Sequence, residues 1–137
     1  MARIWRLCGE KNAFTIFARS TSHNIVRRQK GNKGNDVMIV YVAHCYGGKV
    51  ANFQRARQIT KELQENDLDN CYVCPLLTFA HLQYGSIGFD EEMKLCIDLL
   101  SCCDKLIVAS DVISKGVGME IDFANKVGME VEYLEDT

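Results

Sequence analysis

The most chemically suggestive stretch of this chain is Gly116-Val117-Gly118-Met119-Glu120, which follows the apolar run Leu106-Ile107-Val108-Ala109 and opens the segment Ile121 to Val127. Two glycines let a backbone turn tightly and bring its N–H groups close to a ligand, and a helix N-terminus favours negative charge beside it. The spacing predicts Glu120 at a helix start and ionised near neutral pH. Such a carboxylate in a glycine-lined crevice can attack an electrophilic sugar carbon. The competing reading makes Glu120 an ordinary first-turn residue that stabilises the helix dipole.

Other chemistries fit less well. Gly47-Gly48-Lys49 follows a strand and precedes a helix, as a phosphate loop would, but Ala43 stands where that motif needs glycine and Val50 where it needs a hydroxyl for magnesium. No G-x-G-x-x-G follows the first strand, so a dinucleotide site is not indicated. Cys71 and Cys74, three apart in a strand, would point to opposite faces, with no second pair at finger spacing. His44 and Cys45 are adjacent in sequence, which is not the geometry of a nucleophile pair. No metal and no cofactor is implied.

The elements that must position these residues alternate in type. Val37 to Ala43 is a β-branched apolar run suited to a buried parallel strand. After the turn His44 to Gly48, Val50, Phe53, Ala56, Ile59 and Leu63 recur at helical spacing. Cys71 to Leu77 reads as a second strand, with Pro75 placing it at an edge or near its own end. Thr78 to Phe89, with His81 and Tyr84, is longer than a plain connection needs. Asp90 reads as the cap of a helix whose buried face is Met93, Cys96, Leu99, Leu100 and Cys103. Lys105 to Ser110 reads as a third strand, Gly118 to Val127 as a helix ended by Gly128, and Val131 with Tyr133 as a last, edge strand. This order predicts an α/β fold with a mostly parallel sheet. Ligands of such folds bind outside the carboxyl ends of the strands, so residues 41–48, 78–89 and 110–120 should converge on one crevice.

Composition sets the frame. With 137 residues, 47% hydrophobic and 25% charged, the chain has the size and balance of one globular domain, and no apolar run nears the length of a membrane span. Its net charge of −2 hides an asymmetry: residues 1–36 hold eight Lys or Arg against Glu10 and Asp36, net +6, and the remainder is net −8. The basic segment reads first as a solvated tail, with a nucleic-acid arm and a mitochondrial targeting segment as the other readings. Ala13 to Ala18 is its one apolar patch, Gln29 to Asp36 reads as a linker, and the domain is expected over 37–137. An acidic body makes nucleic acid an improbable partner. Seven cysteines, an odd number lying mostly in apolar runs, suggest free thiols in a reducing, cytoplasmic compartment.

Taken in order, Val40-Tyr41-Val42-Ala43 with its Gly-Gly loop, Cys103-Asp104 before an apolar strand, and Ser114-Lys115-Gly116-Val117-Gly118-Met119-Glu120 with Ala124 and Gly128 resemble the nucleoside 2-deoxyribosyltransferase superfamily. The resemblance spans about Val37 to Leu134. It implies a single Rossmann-like or flavodoxin-like α/β domain, with four to five mostly parallel strands and helices on both faces. It also implies an N-glycosidase or deoxyribosyltransferase acting on a 2'-deoxynucleoside or its 5'-monophosphate. Glu120 would be the nucleophile and Tyr41 its orienting partner; His44, Gly47, Gly48, Ser114, Gly116, Gly118 and Met119 would hold the substrate. Ser114, six before the glutamate, is similar to the monophosphate N-hydrolase branch, since a hydroxyl accommodates a phosphate that a carboxylate would repel. Where the family carries an aspartate that handles the proton or the base, this chain has Cys96. A homodimer is the expected assembly, and a non-catalytic nucleotide-sensing module of the same fold is the alternative function.

Overall fold

The computed structural model of the chain describes residues 36–135. The basic segment, its apolar patch at 13–18 and nearly all of the expected linker lie outside the described residues. The elements run β1 (Ile39–Ala43), α1 (Val50–Asn66), β2 (Cys71–Val73), α2 (Pro75–Thr78), α3 (Phe89–Ser101), β3 (Lys105–Val108), α4 (Lys115–Lys126) and β4 (Glu130–Tyr133).

All four strands are parallel, in the order β2-β1-β3-β4. The centre of the sheet falls where the β-branched residues are. Val40 through Ala43 are buried, as are Leu106 through Val108, with Tyr41 beside Leu106 and Val42 beside Ile107. Alternation along β1 sends its side chains into two cores. Tyr41 and Ala43 pack with Leu106, Val108, Leu100, Cys103, Val117 and Ala124, beneath α3 and α4. Val42 packs with Ala56, Cys74 and Ala109 on the other face, joined by Ile59 and Leu63 of α1 and by Leu76 and Leu77 of α2. The fold is therefore α/β, with helices on both faces of a four-stranded parallel sheet.

Asp104 fastens the start of β3 to β1, accepting the Ile39 N–H on Oδ2 at 2.8 Å while its own N–H donates to the Ile39 carbonyl at 2.7 Å. The chain leaves β1 toward β2 on one side and returns to place β3 on the other. Between the carboxyl ends of β1 and β3 the connections diverge, which opens a crevice there.

Five boundaries differ from those read in the sequence. β1 starts at Ile39 and β3 ends at Val108. The second strand stops at Val73, because Pro75, with a fixed φ and no N–H, begins α2 instead of continuing a ladder. Gly88 is the N-cap of α3, leaving Asp90, Glu91 and Glu92 in its first turn. Helix α4 begins at Lys115, so Gly116 and Gly118 are helical residues and not parts of a loop.

Candidate active site

Ser114 ends the β3–α4 connection and caps α4: its Oγ accepts the Val117 N–H at 3.2 Å and its carbonyl accepts the Gly118 N–H at 2.8 Å. The first two N–H groups of the helix, those of Lys115 and Gly116, have no intrahelical acceptor and form the positive end of the dipole. Glu120 is the sixth residue of α4, beyond the turn in which that dipole acts. Only 4% exposed, it accepts a hydrogen bond on Oε2 from the hydroxyl of Tyr41, which is itself fully buried.

Burial decides the charge of this pair. Desolvation pushes the Glu120 carboxyl up to about 7, although the Tyr41 hydrogen bond pulls the other way. The helix-start argument, which expected a fully ionised carboxylate near neutral pH, is corrected here by depth. Tyr41 is held protonated by its own burial first and by the adjacent carboxylate second. Cys96, half-buried on α3, interacts with the Tyr41 hydroxyl; burial, and then the Glu120 charge, push its thiol up to about 11.

Glu120 and Cys96 open onto a cavity of about 540 Å³, walled mainly by apolar and aromatic side chains. Its wall brings together His44, Gly47, Ser114, Gly116 and Glu120 from the residues singled out in the sequence. Tyr41 stands behind Glu120 and does not reach the wall. The His44 ring donates from Nδ1 to the Cys45 carbonyl at 2.8 Å, so in the neutral ring Nε2 is the acceptor. Gly47 and Gly48 adopt positive φ in a turn closed by Lys49 N–H donating to the Tyr46 carbonyl at 3.1 Å.

Gly48, Gly118 and Met119 are outside the wall. Gly48 lies under Tyr84, where a Cβ would meet the ring at 2.9 Å. A Cβ on Gly118 would approach only Ile113, at 3.9 Å, and Met119 is 37% exposed. Sequence reasoning missed the aromatic wall. Tyr46 meets Tyr84 edge-on at 5.1 Å and leans on Phe53 at 6.2 Å. It also missed Lys115, whose Nζ lies 4.9 Å over the Phe89 ring and joins the starts of α3 and α4. A lysine directly after a capping serine was the available signal for an anion site.

A family model described as a domain of unknown function, DUF7768, matches residues 38–134. The chain belongs to that family. The DUF7768 domain thus coincides with the sheet, its helices and the whole cavity wall. A crystal structure of a conserved protein from Enterococcus faecalis V583 is similar, with a TM-score of 0.61 and 18% identity over 72% of this chain and 63% of that one. The chain spans about 63% of that protein's length, and likeness at this identity is one of fold. No curated protein matches by sequence. Among the described residues of the DUF7768 chain, no helix is long and apolar enough to cross a membrane.

Proposed function

We propose that this domain is an N-glycosidase of the nucleoside deoxyribosyltransferase type, cleaving the base from a 2'-deoxynucleoside 5'-monophosphate. The observation that carries the reading is a buried carboxyl, Glu120, in the wall of an aromatic-lined cavity at the point where the strand order reverses, held from behind by the Tyr41 hydroxyl. Glu120 Oε attacks the anomeric carbon as the C1'–N bond breaks and its electrons leave with the base. The glycosyl ester is then resolved by water, which returns the carboxylate. A carboxyl at about 7 is half ionised at neutral pH, and the Tyr41 hydrogen bond favours the charged form. Tyr46, Phe53 and Tyr84 offer faces and edges to a planar base. The Ser114 hydroxyl, the Lys115 ammonium and the first N–H groups of α4 suit a phosphate.

A second reading, a nucleotide-sensing module, is favoured by one observation: Cys96 is a neutral thiol where the resembled family has an aspartate. One experiment tests both. Free base released from a panel of deoxynucleosides and their 5'-monophosphates is followed by chromatography, with Glu120→Gln in parallel. The expected result is release by the native chain only, faster from monophosphates. Binding seen by calorimetry without release from any substrate supports sensing and overturns the glycosidase.

A further inference from the structure

A planar base offers a binding wall its faces and its edge, and the edge alone distinguishes one base from another. In the proposed site the faces are met by Tyr46, Phe53 and Tyr84. The polar side chain beside them is His44. It directly follows β1 and stands two residues before Tyr46, which keeps their Cα atoms within about 7 Å. His44 is only 5% exposed, yet it lines the cavity. Its Nδ1 lies 2.8 Å from the Cys45 carbonyl, and a carbonyl only accepts, so the neutral ring carries its proton on Nδ1 and a lone pair on Nε2. Among the described residues the ring makes no second hydrogen bond, and no fully buried side-chain nitrogen or oxygen is without a partner. Nε2 is therefore not sealed in protein. It opens onto the cavity that His44 lines, as a single acceptor whose direction the Cys45 carbonyl fixes.

We infer that His44 is the specificity-determining residue of this site: its Nε2 accepts a hydrogen bond from an exocyclic amino group of the base, so the site takes an amino-bearing base and rejects thymine and uracil. A lone acceptor makes this choice by itself. An amino group projects beyond the ring and presents two protons, whereas the imide N–H of thymine lies between two carbonyl oxygens whose lone pairs would face that of Nε2. A phosphate oxygen brings no proton to Nε2, which leaves the anion to the start of α4. Depth sets the strength of the choice. A ligand without a donor would take water from Nε2 and leave a buried acceptor unpaired, and that penalty, more than the bond itself, separates one partner from another.

The inference rests on the nucleotide site proposed above, and binding separates the two. Affinities are measured by calorimetry at pH 8 on the full chain carrying Glu120→Gln, which leaves the nucleotides intact. Each amino-bearing nucleotide is paired with a partner that lacks only the amino group: dAMP with the 6-unsubstituted purine deoxynucleotide, dCMP with the 4-unsubstituted pyrimidinone, and dGMP with dIMP. In at least one pair the amino-bearing member is expected to bind about 10–100-fold more tightly, with dTMP no better than the amino-free nucleotides. Adding His44→Leu is expected to bring that ratio within about threefold while the amino-free partner keeps its affinity, which shows the wall intact. His44→Gln, whose amide oxygen accepts near the place of Nε2, is expected to restore part of the gap. A gap that survives His44→Leu, an equal loss on both members, or dTMP bound as tightly as every amino-bearing nucleotide overturns the role of His44. So does a loss seen with a 2',3'-dideoxynucleotide that disappears in His44→Leu, which would assign Nε2 to the sugar. No nucleotide bound by either the native chain or Glu120→Gln overturns the nucleotide site itself.

Discussion

A tyrosine hydroxyl held protonated and a carboxyl half ionised at neutral pH make a pair with a fixed direction: the Tyr41 proton is donated to Glu120. Because that hydrogen bond favours the charged carboxylate, its loss moves the Glu120 titration upward, and a hydrogen bond to a charged group is worth about 1.5–3 kcal/mol, or one to two pH units. Under the proposed function the acid limb of kcat/KM reports this ionisation, rising as pH passes about 7. Tyr41→Phe is expected to shift that limb upward by a unit or more and to leave the plateau less affected. An unmoved limb in a pH–rate profile would show that Tyr41 is packing alone. Glu120 is legible in the sequence because a Gly-x-Gly-x-Glu spacing after an apolar run is a local pattern. Its charge is not legible, since desolvation depends on α3 and on β1, whose Tyr41 is 79 residues away in the chain.

The elements follow from periodicity wherever the period is local. The 3.6-residue spacing of Val50 to Leu63 and the β-branched run of β1 are readable without tertiary information. Glycine and proline mislead at the boundaries. Gly116 looks like a loop residue and Gly118 like the helix start, yet Ser114 caps ahead of both, and a Cβ on Gly116 would stand only 3.1 Å from Met93 Sδ, so Gly116 serves close packing of α4 on α3. The turn after β1 carries a prediction of its own. Gly48 at φ +74° and Gly85 at φ +79° share the left-handed backbone, whose cost to an L-residue is about 1–2 kcal/mol. A Cβ at Gly85 meets nothing within 4 Å, whereas one at Gly48 strikes the Tyr84 ring. Gly48→Ala and Gly85→Ala are therefore both expected to lose stability in thermal unfolding, Gly48→Ala the more, and under the proposed function only Gly48→Ala, which displaces Tyr84 from Tyr46, raises KM. Equal KM values in the two variants would remove Tyr84 from the binding wall.

For the whole molecule, strand order is the property that the residue pattern leaves open, because alternating strands and helices fit several orders of neighbours. The order β2-β1-β3-β4 is what brings Tyr41 and Glu120 together at the sheet's centre, and that meeting carries a cost that can be measured. The Glu120 carboxyl titrates near 4.5 in an unfolded chain and near 7 in the folded one. Below pH 4.5 it is protonated in both states and makes no difference. Between 4.5 and 7 the folded state binds more protons than the unfolded, so stability falls as pH rises; above 7 the full penalty remains. The shift is equivalent to about 3 kcal/mol. Glu120→Gln, which stays neutral and still accepts from Tyr41, is expected to match the native chain near pH 4 and to exceed it increasingly up to a plateau above pH 7, by roughly 10 °C in Tm. A difference that does not vary with pH would show that Glu120 is not the desolvated group. A pH-dependent gain would mean that the fold keeps a carboxylate at its centre at the expense of its own stability, which packing alone does not explain and a reacting group does.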